Sequence, residues 1–148
     1  MKFYTFDIVK RGLFTLILVP VLIVNIGAKS AKNSFQDEPV KVFSQMESAI
    51  NSGDISSISR FISSQTYISL SNGETGYFSS SQAYYIVQDF FKNYKVISFK
   101  FRSVNDADNP YGIGSLVYEF RNRRVTAQVF VSLTKSGNNW LISQFTVK

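Results

Sequence analysis

Three arginines, Arg121, Arg123 and Arg124, stand within four positions ahead of an alternating apolar run, "EFRNRRVTAQVFVSL". Charge at that density can grip an anion or simply solvate a turn. Four tyrosines, Tyr67, Tyr94, Tyr111 and Tyr118, offer a second kind of chemistry, because each can turn its ring inward and leave a hydroxyl at a cavity mouth to orient a small molecule. Much else is excluded. The chain has no histidine and no cysteine. Ser-His-Asp triads, thiol catalysis, zinc-thiolate sites and disulfides are therefore removed, and neither a metal site nor a cofactor is expected. No glycine-rich nucleotide pattern is present either.

The amino-terminal residues have the order of a secretory signal: Lys2, Lys10 and Arg11, then an apolar run from Leu13 to Val24 containing Pro20, then Ala28, Ser30 and Ala31. That run is shorter than the roughly 20 residues a spanning helix needs. The expectation is residues 1–30 as a cleaved signal peptide, 31–38 as a polar leader and 39–148 as one domain, periplasmic or secreted and free of the membrane after cleavage. From Ala31 onward twelve Lys and Arg oppose nine Asp and Glu, a net +3 in place of the +6 of the whole chain. So mild an excess argues against a nucleic-acid partner, which calls for strong, clustered basic charge.

The elements that must position these residues follow from periodicity. Val42, Phe43, Met46, Ala49 and Ile50 recur at helical spacing behind Pro39, and Gly53 ends that helix. Asp54 caps a short second helix over Ile55–Ile62. Asn72-Gly73 in "QTYISLSNGETGYF" marks a tight hairpin. Ser79 and Gln82 form a capping box for a helix over Ser80–Tyr94, whose stripe is Ala83, Ile86, Val87, Phe90, Phe91 and Tyr94. The period then falls to two. Ile97, Phe99 and Phe101 lead a four-strand meander through runs at Tyr111–Phe120, Arg124–Thr134 and Asn139–Val147. Short connections favour antiparallel neighbours, with helices on one face of a curved sheet. Gly112 and Gly114 suggest a bulge or bend. Arg121, Asn122 and Arg123 fall in a hairpin turn, and Arg124 extends a modest basic patch with Lys100 and Arg102.

Four stretches, "AINSGD", "YFSSSQAYYIVQDFF", "YGIGSL" and "WLISQF", in this order and spacing, resemble the exported bacterial domain-of-unknown-function family numbered 4783, in the nuclear transport factor 2-like superfamily. The resemblance implies an α+β cone in which a strongly curved antiparallel sheet wraps its helices, in the order α-α-β-β-α-β-β-β-β. The cone's mouth is often a ligand or active site in that superfamily. Where relatives carry His-x-Gly after the strand phenylalanines, this chain has Arg102-Ser103-Val104, so no role of that histidine carries over. The superfamily's isomerases imply one enzymatic route, a carboxylate base with a phenolic donor in an apolar pocket. Asp89 and Glu119 are the carboxylates to consider for it.

The leading expectation is a non-enzymatic exported domain that binds a small apolar or amphipathic ligand, or a protein partner, through its cone cavity or exposed sheet face. A cofactor-free lyase or isomerase using Glu119 or Asp89 with a tyrosine is the alternative. A structural homodimer through the outer sheet face is the third reading.

Overall fold

Pro39 opens α1 (Pro39–Ser52), where a missing N–H costs nothing because the first turn offers it no carbonyl partner. The five residues of the expected stripe, Val42, Phe43, Met46, Ala49 and Ile50, are all buried. Gly53 closes the helix at φ 74°, its N–H donating to the Ile50 carbonyl at 3.3 Å. The computed structural model describes residues 38–148; the expected signal segment and leader residues 31–37 lie outside the described residues.

The second helix is 3₁₀ rather than α, over Ile55–Phe61, with Ile55, Ile58 and Phe61 buried. Its serines supply the reason. Ser57 and Ser59 donate their hydroxyls to the carbonyls three residues back, Asp54 and Ser56, both at 2.8 Å, which suits i→i+3 geometry. Asp54 does not cap the segment through its side chain; its carboxylate accepts the Ser56 hydroxyl instead.

The strands are β1 (Ile62–Ser69), β2 (Thr75–Phe78), β3 (Lys95–Asn105), β4 (Tyr111–Phe120), β5 (Arg123–Ser136) and β6 (Asn139–Val147). Between β2 and β3 lies α2 (Ser80–Asn93), one residue shorter than expected. Its capping box is complete. Ser79 N–H donates to Gln82 Oε1 at 3.1 Å and Gln82 N–H to Ser79 Oγ at 3.4 Å.

The six strands form one sheet in the order β2-β1-β6-β5-β4-β3. Every pairing is antiparallel except β1 with β6, which run parallel. Short connections dictate only the pairing of sequential strands. β1 and β6 are separated by α2 and the whole meander, so their relative direction is free of that rule.

Four local expectations are corrected. Asn72-Gly73 does not make a two-residue turn: residues 70–74 connect the strands, Gly73 N–H donates to the Leu70 carbonyl at 3.0 Å, and Asn72 Oδ1 accepts from Glu74 N–H at 3.2 Å. The two-residue turn with positive φ at both centres is Arg121-Asn122, at 50° and 60°, closed by the Phe120–Arg123 pair. Arg123 thus belongs to β5. The register breaks lie in β3, between Val96 and Ser98 and between Phe101 and Ser103, while β4 runs unbroken through Gly112 and Gly114 along β5. Next to the first break, Ile97 is exposed instead of inward.

Those glycines serve as clearance for aromatic rings. A Cβ on Gly112 would lie 2.7 Å from Phe101 and 3.1 Å from Phe43, and one on Gly114 2.7 Å from Phe99. The inner face is then covered by α1, the 3₁₀ segment and α2, with Leu116, Val129, Val131, Phe145 and Phe90 among the buried core.

Candidate functional site

Inside the sheet's curve, Met46, Ile58, Ile68, Val87 and Phe145 leave a residual void of about 10 Å³, room for little more than one water. Thr66, the one hydroxyl on its wall, is occupied: it donates within 3.0 Å of the Ile142 carbonyl and 3.2 Å of the Ser63 carbonyl. The interior is a packed core, with no ionisable group on the void's wall.

The four tyrosines separate into two pairs. Tyr94 is stacked between Phe90 and Phe120, at centroid distances of 4.3 and 4.6 Å, and meets Tyr118 edge-on at 5.3 Å. Tyr118 is buried, its hydroxyl 3.5 Å from Ser71 Oγ. Tyr67 and Tyr111 lie on the opposite, outer face of the sheet. Asp89 and Glu119 are not brought to either pair's hydroxyls. Asp89 is exposed on α2, 3.4 Å from Lys92 Nζ, and Glu119 is exposed near the end of β4 opposite Arg124.

Strand register assembles the outer face. Tyr77, Tyr67, Gln144, Ser132, Tyr111 and Asn105 are successive cross-strand partners and form one row over all six strands. The next row runs Ser69, Thr146, Phe130 and Ile113. Two adjoining hollows open on this face and share Phe130. One, of about 360 Å³, is lined by Tyr67, Gln128, Gln144 and Lys148 among others. The second, of about 660 Å³, includes Ser64, Tyr111, Ser132 and Ser143. The Tyr111 and Phe130 rings are stacked, with centroids 6.0 Å apart and planes inclined by 23°. Within the trough Gln144 Nε2 donates to Thr146 Oγ1 at 3.3 Å, and the Ser132 and Ser143 hydroxyls are 3.0 Å apart.

Phe130, Gln128, Gln144 and Ser132 were not among the residues singled out from sequence. A signal was present: in "AQVFVS" an aromatic and an amide occupy the outward phase of the alternation, where β5 buries Ala127, Val129 and Val131.

At the seam between α1 and the outermost strand β3, helix side chains take up strand backbone. Asn51 Oδ1 accepts from Phe99 N–H at 2.8 Å and Asn51 Nδ2 donates to the Phe99 carbonyl at 2.8 Å. Glu47 Oε2 accepts from Phe101 N–H and its Oε1 from Lys100 Nζ, both at 2.9 Å. Partial burial works to raise the Glu47 carboxyl; the Lys100 hydrogen bond, the Phe101 N–H and the Lys100 charge outweigh it and hold the group below its ordinary value. Lys100 is thereby engaged, and Arg121 lies 5.0 Å over the Phe120 ring, so the basic residues are spread among separate contacts. Among the described residues no three Asp or Glu come together as a metal site, and no helix is long and apolar enough to cross a membrane.

A family model described as a domain of unknown function, DUF4783, matches residues 43–148. No curated protein matches the chain. Among solved structures it is similar to a DUF4783 family protein from Bacteroides uniformis, with 19% identity over 71% of this chain and 94% of that one and a TM-score of 0.64. A DUF4783 family protein from Bacteroides ovatus is 22% identical over 70% and 90% of the two chains, with a TM-score of 0.61. An NTF2-like protein of unknown function from Shewanella oneidensis shares 14% identity over 75% and 96%, with a TM-score of 0.51.

Proposed function

We propose, from the premise that this chain belongs to the DUF4783 family and has the NTF2-like fold, that it is an exported, non-enzymatic binding domain working through the outer face of its sheet. The carrying observation is the contrast in free space. The interior void is about 10 Å³, whereas the outer trough offers hollows of about 360 and 660 Å³. Binding sites for small molecules occupy roughly 300–1,000 Å³; the trough falls in that range and sets hydroxyls and amides around Tyr67, Tyr111 and Phe130. A lyase or isomerase gains no support, because neither Asp89 nor Glu119 faces an enclosed apolar site. Export is supported by the order of basic, apolar and small residues in the first thirty positions.

A benzophenone crosslinker placed at Tyr67 tests this reading in extract from the host's envelope fraction. Capture of an adduct, whether ligand, protein partner or second copy, is expected from Tyr67 and not from exposed Tyr85 on α2. Capture from Tyr85 alone, or from neither position, would reject it.

A further inference from the structure

We infer that the outer trough is a saccharide site whose ligand is an uncharged oligosaccharide, an inference that rests on the outer face being the binding surface. Charge is the first ground. Of all the side chains that line the two hollows only Lys148 is a charged type, although this domain carries Lys100, Glu119, Arg123 and Arg124 on strands of the same sheet. An anionic ligand seated there would find a single cationic side chain, Lys148 at one end, and a cationic ligand no carboxylate side chain, so along most of the trough a charge would lose water without a partner in exchange.

Shape is the second ground. Tyr111 and Phe130, on neighbouring strands, bring two half-buried, near-parallel rings together, with centroids 6.0 Å apart and planes inclined by 23°, so the trough holds flat apolar surface. The C–H face of a pyranose ring is likewise flat and apolar, and it is polar only around its rim. Such a ring laid against one of these aromatic faces would have Gln128, Gln144 and Ser132 among the lining side chains to meet its hydroxyls. Amides and hydroxyls both donate and accept, so they can match sugar hydroxyls of either polarity without fixing a charge. Two of these groups are already oriented by their neighbours, Gln144 through Thr146 and Ser132 through Ser143, which reduces the ordering cost on binding.

The third ground is extent. The hollows meet at Phe130 and run across several strands, which suits a chain of rings better than a single one. A protein partner would find the same aromatic side chains favourable, and the test below separates it from a sugar.

The test is retention of the protein, as purified from its host's envelope fraction, on an immobilised panel of neutral hexasaccharides, built from glucose, mannose, galactose, xylose or N-acetylglucosamine, beside acidic hexasaccharides. Retention on at least one neutral member, competed by the same free sugar, is expected. Tyr111→Leu should weaken it about five-fold by removing one stacked ring, and Gln128→Glu, an exposed change tolerated by the fold, should weaken it as well. Tyr85→Leu should leave it unchanged. No retention on any neutral sugar, retention only on acidic ones, or retention indifferent to both trough variants would each overturn the inference. If sugars fail while the Tyr67 crosslinker still captures a protein, the saccharide assignment falls and the outer-face reading stands. If the crosslinker captures nothing either, both fall.

Discussion

Leu116 and Ser115 are neighbours in β4, yet they look into environments built on different physics. Leu116 is fully buried beneath the helices, in a layer where ring faces, methyl groups and even missing Cβ atoms are fitted together. Ser115 faces the side where rows of hydroxyls, amides and rings are only half covered. One face spends its side chains on cohesion and the other leaves theirs free to be used. Because strand side chains alternate, a single sequence carries both programmes interleaved at every second residue.

That division can be broken most directly by truncating adjacent residues. Leu116→Ala is expected to lower unfolding free energy by about 3 kcal/mol, through lost burial and the cavity left behind, while Ser115→Ala should change it by less than about 0.5 kcal/mol. Chemical denaturation of the two variants would decide the matter, and similar losses would mean that the outer face is also structural. Gly112→Ala sharpens the claim about the inner layer. The added methyl must displace the Phe101 ring, for a cost of about 2 kcal/mol; a neutral or stabilising result would show that the ring has slack. The smallest expected effect concerns the seam. Glu47 sits below its ordinary value in the folded protein, so its contribution is present above the unfolded carboxyl's pKa, near about 4.3, and is lost as pH falls through the lower folded value. Glu47→Gln should therefore flatten the acid limb of a stability–pH curve measured between about pH 5 and pH 2. An unchanged limb would mean that the Lys100 contact contributes nothing.

How legible each part was in the sequence depended on how local its cause is. The capping box of α2, the stripe of α1 and the bounds of β4 and β6 rest on residues a few positions apart, and each appeared in the structure. Gly112 and Gly114 announced something unusual, but their reason lies in rings from β3 and α1, which no local rule supplies. Asn72-Gly73 carried the stronger hairpin signature, and Arg121-Asn122 took the positive φ angles because ten continuous register pairs between β4 and β5 leave two residues to close the turn. The aromatic periodicity did not separate Tyr118, a core residue, from Tyr111, an outer one. They are seven apart on one strand, and only the parity of that spacing puts them on opposite faces. The trough was invisible for a stronger reason, since its row joins residues from six strands and exists only once β1 has paired with β6.

The hydrogen bonds from α1 to β3 have a consequence for how this molecule behaves in company. A sheet's outermost strand offers a ladder of unsatisfied amides and carbonyls to any other extended chain, which is how folded proteins begin to polymerise edge to edge. Here Asn51 occupies both backbone groups of Phe99 and Glu47 occupies the Phe101 amide, so a helix fills in for an absent seventh strand at the middle of the longest exposed rim. At the other rim, β2 is only four residues long. The broad, half-open face is thus bordered on one side by a strand whose middle is already hydrogen-bonded and on the other by a short one, and both features work against edge-to-edge pairing.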